Sequence, residues 1–134
     1  MIIGTEDKEI YAKIAEVHSH IPKSIVQVTA TEAEIAKYFS NIYNSLRITF
    51  ANGMFEVCNK LDADYQKVFN ACIMRDTISP EYLRCSSYLR GFAGHCLPKD
   101  SQAFALLVKQ LGLDHISIFD SIVKDNQYHL KAQK

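Results

Sequence analysis

The sequence predicts a mainly α fold, a helical bundle around one long helix with a small α/β lead-in, over 134 residues. Three observations predict it. A single apolar stripe at helical spacing runs from Ile35 to Leu61. Two short strand-like runs flank an amphipathic stretch at the start of the chain. Two further amphipathic stretches close the sequence.

In order, "MIIG" reads as a very short strand, and "EDKEIYAKIAEVHSHI" as a helix with Ile10, Ile14 and Val17 on one face. "SIVQVT" reads as a second strand. This strand-helix-strand start opens an α/β unit, but its turn is not glycine-rich, so it is no dinucleotide-binding unit by itself. Thr31 is the expected N-cap of the long helix, with Glu34 completing a capping box. Ile35, Phe39, Ile42, Leu46, Phe50, Gly53, Val57 and Leu61 share its stripe, which identifies a spine for other helices or another subunit. "ADYQKVFNACIM" is a further helix, and Cys58 and Cys72 are expected in the core. Pro80 and Gly91 break the segment "RDTISPEYLRCSSYLRGFAGH". "KDSQAFALLVKQLGL" and "SIFDSIVKDNQYHL" are the closing helices. The expected division is residues 1–30 as the lead-in and 31–134 as the helical domain.

Fifteen basic residues balance fifteen acidic ones, so no bulk positive field recruits nucleic acid. No apolar run approaches a membrane span, and "MIIGTEDKEI" lacks a signal-peptide layout. Four cysteines without CxxC pairing argue against a zinc site and for a reduced, cytoplasmic setting. "HSH" at His18 to His20 lacks a third metal ligand nearby and reads as a surface loop; no metal is expected. Tyr82, Tyr88 and Arg90 read as packing and solvation.

Two groups of residues are candidates for chemistry. Lys37, Asn41 and Asn44 fall within roughly 60° of one another on the long helix, nearly opposite its apolar stripe. That face is either solvated or directed into a cleft. The second group is "GFAGHCLPKD". Gly91, Ala93 and Gly94 permit close approach or unusual backbone angles. Pro98 suits a first helical turn, which puts Cys96 near a helix N-terminus where thiolate is favoured, and Lys99 adds positive charge. Asp100 follows one turn later, within reach of a water or a proton. A reactive Cys96 and a buried structural one both remain open on chemistry alone.

"GFAGHCLPKD" resembles the active-site segment of the UDP-glucose/GDP-mannose dehydrogenase family, usually GFGG-[ST]-C-[LF]-PKD. "ISPEYL" and "RGF" are similar to members of that family too. "TEAEIAKYFSNIYNSLRITFANGMFEVCNKLDAD" resembles its long central helix, and "MIIG" and "VKDNQ" the edges of its central region. The resemblance implies oxidation of C6 of a nucleotide sugar from alcohol to carboxylate by NAD, through a cysteine thioester. It implies Cys96 as nucleophile, Lys37 and Asn41 as oxyanion and water or substrate ligands, and Asp100 in proton transfer. Phe92, Gly94 and Lys99 are the implied substrate contacts. It further implies a homodimer through the long helix, and it makes residues 1–30 the tail end of a cofactor-domain-like region.

The sequence also departs from the family. Ala93 replaces a glycine, His95 replaces a small hydroxyl residue, and Thr77 stands in "RDTI" where some members have the arginine of D-x-R-I. NAD-binding and C-terminal domains are expected in cis or in trans. NAD thus belongs to the complete enzyme, and none is expected on this chain alone. A non-catalytic dimerisation or sugar-nucleotide-binding module derived from the family is the alternative. A Cys-dependent hydrolase acting alone fares worst, because no histidine is demonstrably paired with Cys96.

Overall fold

A computed structural model describes residues 1–133. The elements follow the order β1 (Ile2–Gly4), α1 (Lys8–His18), β2 (Val26–Val28), α2 (Ala30–Lys60), α3 (Tyr65–Cys72), α4 (Cys96–Gln110) and α5 (Ile118–Lys131). The fold is therefore mainly α with a small α/β lead-in, as the sequence predicts. Backbone contacts divide the chain into two compact units, Met1–Ser40 and the residues from Asn41 onward. That boundary falls within α2, later than the expected division after residue 30.

In the first unit β1 and β2 pair in parallel, with Ile3 opposite Gln27. Ile3 is buried. Asp7 caps α1, its carboxylate accepting from the Glu9 and Ile10 N–H groups at 2.8 and 3.1 Å. None of the residues of α1 is buried. His18 closes the helix with a ring hydrogen bond to the Ile14 carbonyl, and the described residues contain no group of three or more His, Cys, Asp or Glu able to hold a metal.

The capping box of α2 differs from expectation. "TATEAE" contains two overlapping T-x-x-E patterns, and the helix uses the first. Thr29 Oγ1 accepts the Glu32 N–H at 3.2 Å, while Glu32 Oε2 accepts the Thr29 N–H at 2.8 Å. Those bonds, the backbone one foremost, hold the Glu32 carboxyl below its ordinary range. Strand β2 ends immediately before Thr29, so the chain turns into helix at the earlier pattern.

In the second unit, α2 buries only part of the stripe its apolar periodicity marks: Ile42 is buried and Leu46 packs against its cluster, while the outer members of the stripe stay exposed. Ser45 and Asn52 are almost wholly buried, alongside Ile42, Ala51 and Cys58. Phe39, Phe50 and Val57 are 73%, 60% and 49% exposed, and Leu61 lies beyond the helix. The inward face of α2 thus mixes the hydrogen-bonding Ser45 and Asn52 with the apolar Ile42, Ala51 and Cys58. Beyond Lys60 the chain reverses through Asp62 at φ 53, with the Ala63 N–H bonding back to the Cys58 carbonyl. Cys72, expected in the core, is exposed at the last position of α3. That helix buries Tyr65 and Phe69 instead. Tyr65 Oη donates to the Leu83 carbonyl at 2.6 Å and pins the irregular segment. Burial pushes its phenol up to about 12.

Arg90 is the polar centre of this unit, at 6% exposure. Its Nε donates to Asn52 Oδ1 at 2.8 Å, and Nη2 pairs with Glu56 and with His129 Nδ1. The guanidinium lies over the Phe55 ring, 5.0 Å from its centroid. Reading Arg90 as solvation is thus corrected: its charge is needed to pair the buried groups around it.

His129 Nδ1 accepts a hydrogen bond from Arg90 Nη2, which requires a lone pair there and so a neutral imidazole. Burial first, and then the Arg90 charge, lower its pKa from 6.5. The unfolded chain therefore binds a proton that the folded chain refuses. This contribution to stability is complete above pH 6.5 and is lost as pH falls below it. The urea midpoint is expected to drop between about pH 7.5 and 5.5, above the ordinary carboxylate range. His129→Gln, which retains an acceptor for Arg90, flattens that drop. Equal drops in both proteins would show that His129 is not the titrating group.

Candidate active site around Cys96

Helix α4 begins at Cys96, and the segment before it explains how. Phe92 is buried against Ile42 and Ile122, so the chain enters the site from a fixed core position. It then passes through exposed Ala93, Gly94 and His95. Gly94 adopts φ +85 with open space where a Cβ would stand, so its glycine is required by conformation rather than by crowding. His95 holds the N-cap position, and its ring makes no capping hydrogen bond. Cys96 is exposed, as the first residue of α4.

Asp100, one turn along α4, has the opposite environment, with 1% exposure. Asn41 Nδ2 donates to Asp100 Oδ2 at 2.5 Å, joining α2 to the first turn of α4. Lys99 Nζ lies 3.0 Å from Asp100 Oδ1, while its side chain remains 66% exposed. Behind this pair the helices approach through two serines. Ser101 Oγ donates to Ser45 Oγ at 3.0 Å, and Ser45 Oγ donates to the Asn41 carbonyl at 2.9 Å. Bulkier residues there would hold Asn41 away from Asp100. An open depression of about 800 Å³ lies beside Cys96, lined by Gly94, His95, Pro98, Lys99 and the α4 residues Gln102 and Leu106.

The structure thus brings Asn41 and Asp100 together one helical turn from Cys96, with Lys99 on the carboxylate. Lys37 is exposed on the part of α2 in the first unit, with Nζ 6.0 Å from the Tyr38 ring centroid. Asn44 does not join Asn41: its Oδ1 accepts from Arg47 Nη2 at 2.7 Å, and Arg47 stacks between Tyr43 and Tyr82. The Phe92 side chain is core, and its backbone groups bond to Asn126. Asn126, Asn52, Ser45 and Ser101 were not among the residues singled out from the sequence. Their signal was positional, since each is a polar residue on a buried helical face. Asn126 follows Ile122 by one turn, and His129 continues the same stripe.

The arrangement can present a thiol at a helix start, beside an open depression, with a buried carboxylate one turn behind it. A dinucleotide fits the described residues poorly. The β1–α1 turn, Thr5-Glu6-Asp7, is not glycine-rich, and the Asp7 carboxylate already occupies the α1 N–H groups that would otherwise meet a pyrophosphate. Among the described residues no helix is long and apolar enough to cross a membrane.

Comparison with known proteins gives one consistent result. The family model for the UDP-glucose/GDP-mannose dehydrogenase family, central domain, matches residues 31–128. UDP-glucose 6-dehydrogenase TuaD of Bacillus subtilis is 25% identical over 126 residues, covering 94% of this chain and 26% of that protein. GDP-mannose 6-dehydrogenase of Pseudomonas aeruginosa is 28% identical over 128 residues, covering 93% and 28%. A UDP-glucose dehydrogenase structure from the hyperthermophilic archaeon Pyrobaculum islandicum superposes with a TM-score of 0.86 at 30% identity, covering 95% of this chain and 28% of that one. The chain spans about a quarter of the length of these relatives.

Proposed function

The chain belongs to the UDP-glucose/GDP-mannose dehydrogenase family, as its central domain, and on that premise we propose that it supplies the nucleophile of an NAD-dependent nucleotide-sugar 6-dehydrogenase. The substrate class is a UDP-sugar or GDP-mannose type nucleotide sugar, by likeness to the relatives named above. A first hydride and a proton leave the C6 alcohol to give an aldehyde, NAD taking the hydride, and Cys96 Sγ then bonds C6 while its thiol proton passes to the new hydroxyl. Loss of hydride from that adduct leaves a thioester, and water then releases the carboxylate and restores the thiol. NAD is the acceptor the family implies. The described residues offer it no cradle, so the acceptor belongs to a domain joined in cis or in trans, as does the C-terminal domain.

The observation that carries this reading is the Asn41–Asp100 hydrogen bond, 2.5 Å between residues 59 apart in sequence. It gathers two residues of the resemblance at the helical turn that begins with Cys96. Asp100, buried and bonded, orients the Asn41 amide and moves a proton to or from water. Asn41 serves as a donor to the developing oxyanion, the role the resemblance also implies for Lys37. Lys99, Gly94 and the Phe92 backbone segment contact the sugar nucleotide. Replacing Cys96 by serine in the enzyme that contains this chain tests the assignment: turnover is expected to vanish with the fold intact. Preserved turnover would favour a non-catalytic binding module, for which the uncapped His95 at the start of α4 is the supporting observation.

The same reading includes a homodimer through α2, supported by the exposed Phe39, Phe50 and Val57 on its outer stripe. Light scattering at tens of micromolar is expected to give twice 15.2 kDa for this chain. A monomer at that concentration removes this part of the proposal. Four free cysteines support a reduced, cytoplasmic setting.

A further inference from the structure

We propose that Asn126 is a positioning residue for the Cys96 thiol, clamping both backbone groups of Phe92 from α5 and so fixing where the Gly91–Cys96 segment delivers it. The inference rests on the reading of Cys96 as nucleophile. Asn126 is 6% exposed. Its Oδ1 accepts the Phe92 N–H at 2.6 Å, and its Nδ2 donates to the Phe92 carbonyl at 2.9 Å. One short side chain thus satisfies a buried donor and a buried acceptor on the same residue.

Gly91 is shaped to this clamp. It sits at φ +63, and a Cβ there would stand 2.8 Å from Asn126 Oδ1. From α2, Asn52 Oδ1 accepts the Gly91 N–H at 3.2 Å, so consecutive amides are held by asparagines of two helices. Beyond Phe92, among the described residues, Ala93, Gly94 and His95 make no backbone hydrogen bond to another element. The path to Cys96 is therefore anchored at α4 on one side and at Asn126 on the other.

The test uses this chain as it stands. Asn126→Leu preserves size and removes both hydrogen bonds; Asn126→Asp keeps an acceptor for the Phe92 N–H whether ionised or neutral. Hydrogen exchange is followed at the Phe92 amide, with Val108 in α4 as reference. Iodoacetamide labelling of Cys96 is measured relative to exposed Cys72. In Asn126→Leu, Phe92 exchange is expected to rise about tenfold or more. The Cys96:Cys72 labelling ratio should change roughly threefold, with Val108 unchanged. Asn126→Asp restores both toward the parent values.

Unchanged Phe92 exchange and labelling in a folded Asn126→Leu overturn the proposal. So does an equal loss of protection at Phe92 and Val108 in both variants, because Asn126 then only holds the core together. If the leucine variant fails to fold, Asn126→Asp decides by the same two readouts, parent-like values supporting the clamp. None of these readouts needs turnover, whereas turnover surviving Cys96→Ser would sink the nucleophile and leave the clamp standing.

Discussion

Cys96→Ser in the enzyme that contains this chain is expected to lower turnover by about 10³-fold or more, with the unfolding midpoint unchanged. The two halves of that expectation have separate causes. Cys96 is exposed and contributes nothing to either apolar cluster of the second unit. Exchanging its sulfur for oxygen therefore removes no buried contact, and stability should stay within about 0.5 kcal/mol. Chemistry is less forgiving. A serine hydroxyl is a weak nucleophile unless a base removes its proton, and it forms an ester where cysteine forms the more labile thioester. Steady-state rates with a UDP-sugar or GDP-mannose, beside urea titrations of the same preparations, measure both halves. Full turnover with an intact fold would assign the chain to binding rather than catalysis.

The largest loss of stability is expected from Arg90→Ala, about 3–5 kcal/mol. Arg90 is 6% exposed and is shared by Glu56, Asn52 and His129. Its removal leaves the Glu56 carboxylate without its cation and leaves His129 Nδ1 without its donor. It also opens a cavity against the Phe55 ring. Arg90→Met refills much of that volume and should recover part of the loss, while the stranded polar groups keep the rest. Denaturant titration above pH 7 separates the effect from His129 protonation. A loss below about 1 kcal/mol would mean that the cluster relaxes to water at little cost.

The sequence carried the local features well and the long-range ones poorly. Pro98 was enough to place Cys96 near the start of a helix, because that signal acts within one turn. The partnership of Asn41 with Asp100 was not legible, since it depends on how closely α2 and α4 approach across Ser45 and Ser101. Periodicity found the apolar stripe of α2 but not which face the chain itself covers. Burial took the edge of the stripe at Ile42 and the adjoining face that carries Ser45, Ala51, Asn52 and Cys58. Asn126 and Asn52 were passed over for the same reason. A polar residue between apolar helical neighbours reads as an exception until its partner is known. At "TATEAE" two capping boxes were chemically equivalent, and the preceding strand decided between them.

That divided burial gives α2 two faces, with Ser45 and Asn52 inward beside Ile42, Ala51 and Cys58, and Phe50 and Val57 outward. Ser45, Asn52, Phe50 and Val57 ride on one hydrogen-bonded shaft, so a twist applied at the outer pair is delivered to the inner pair. A contact that turned α2 about its axis would shift Ser45 against Ser101 and Asn52 against the Gly91 amide that leads toward Cys96.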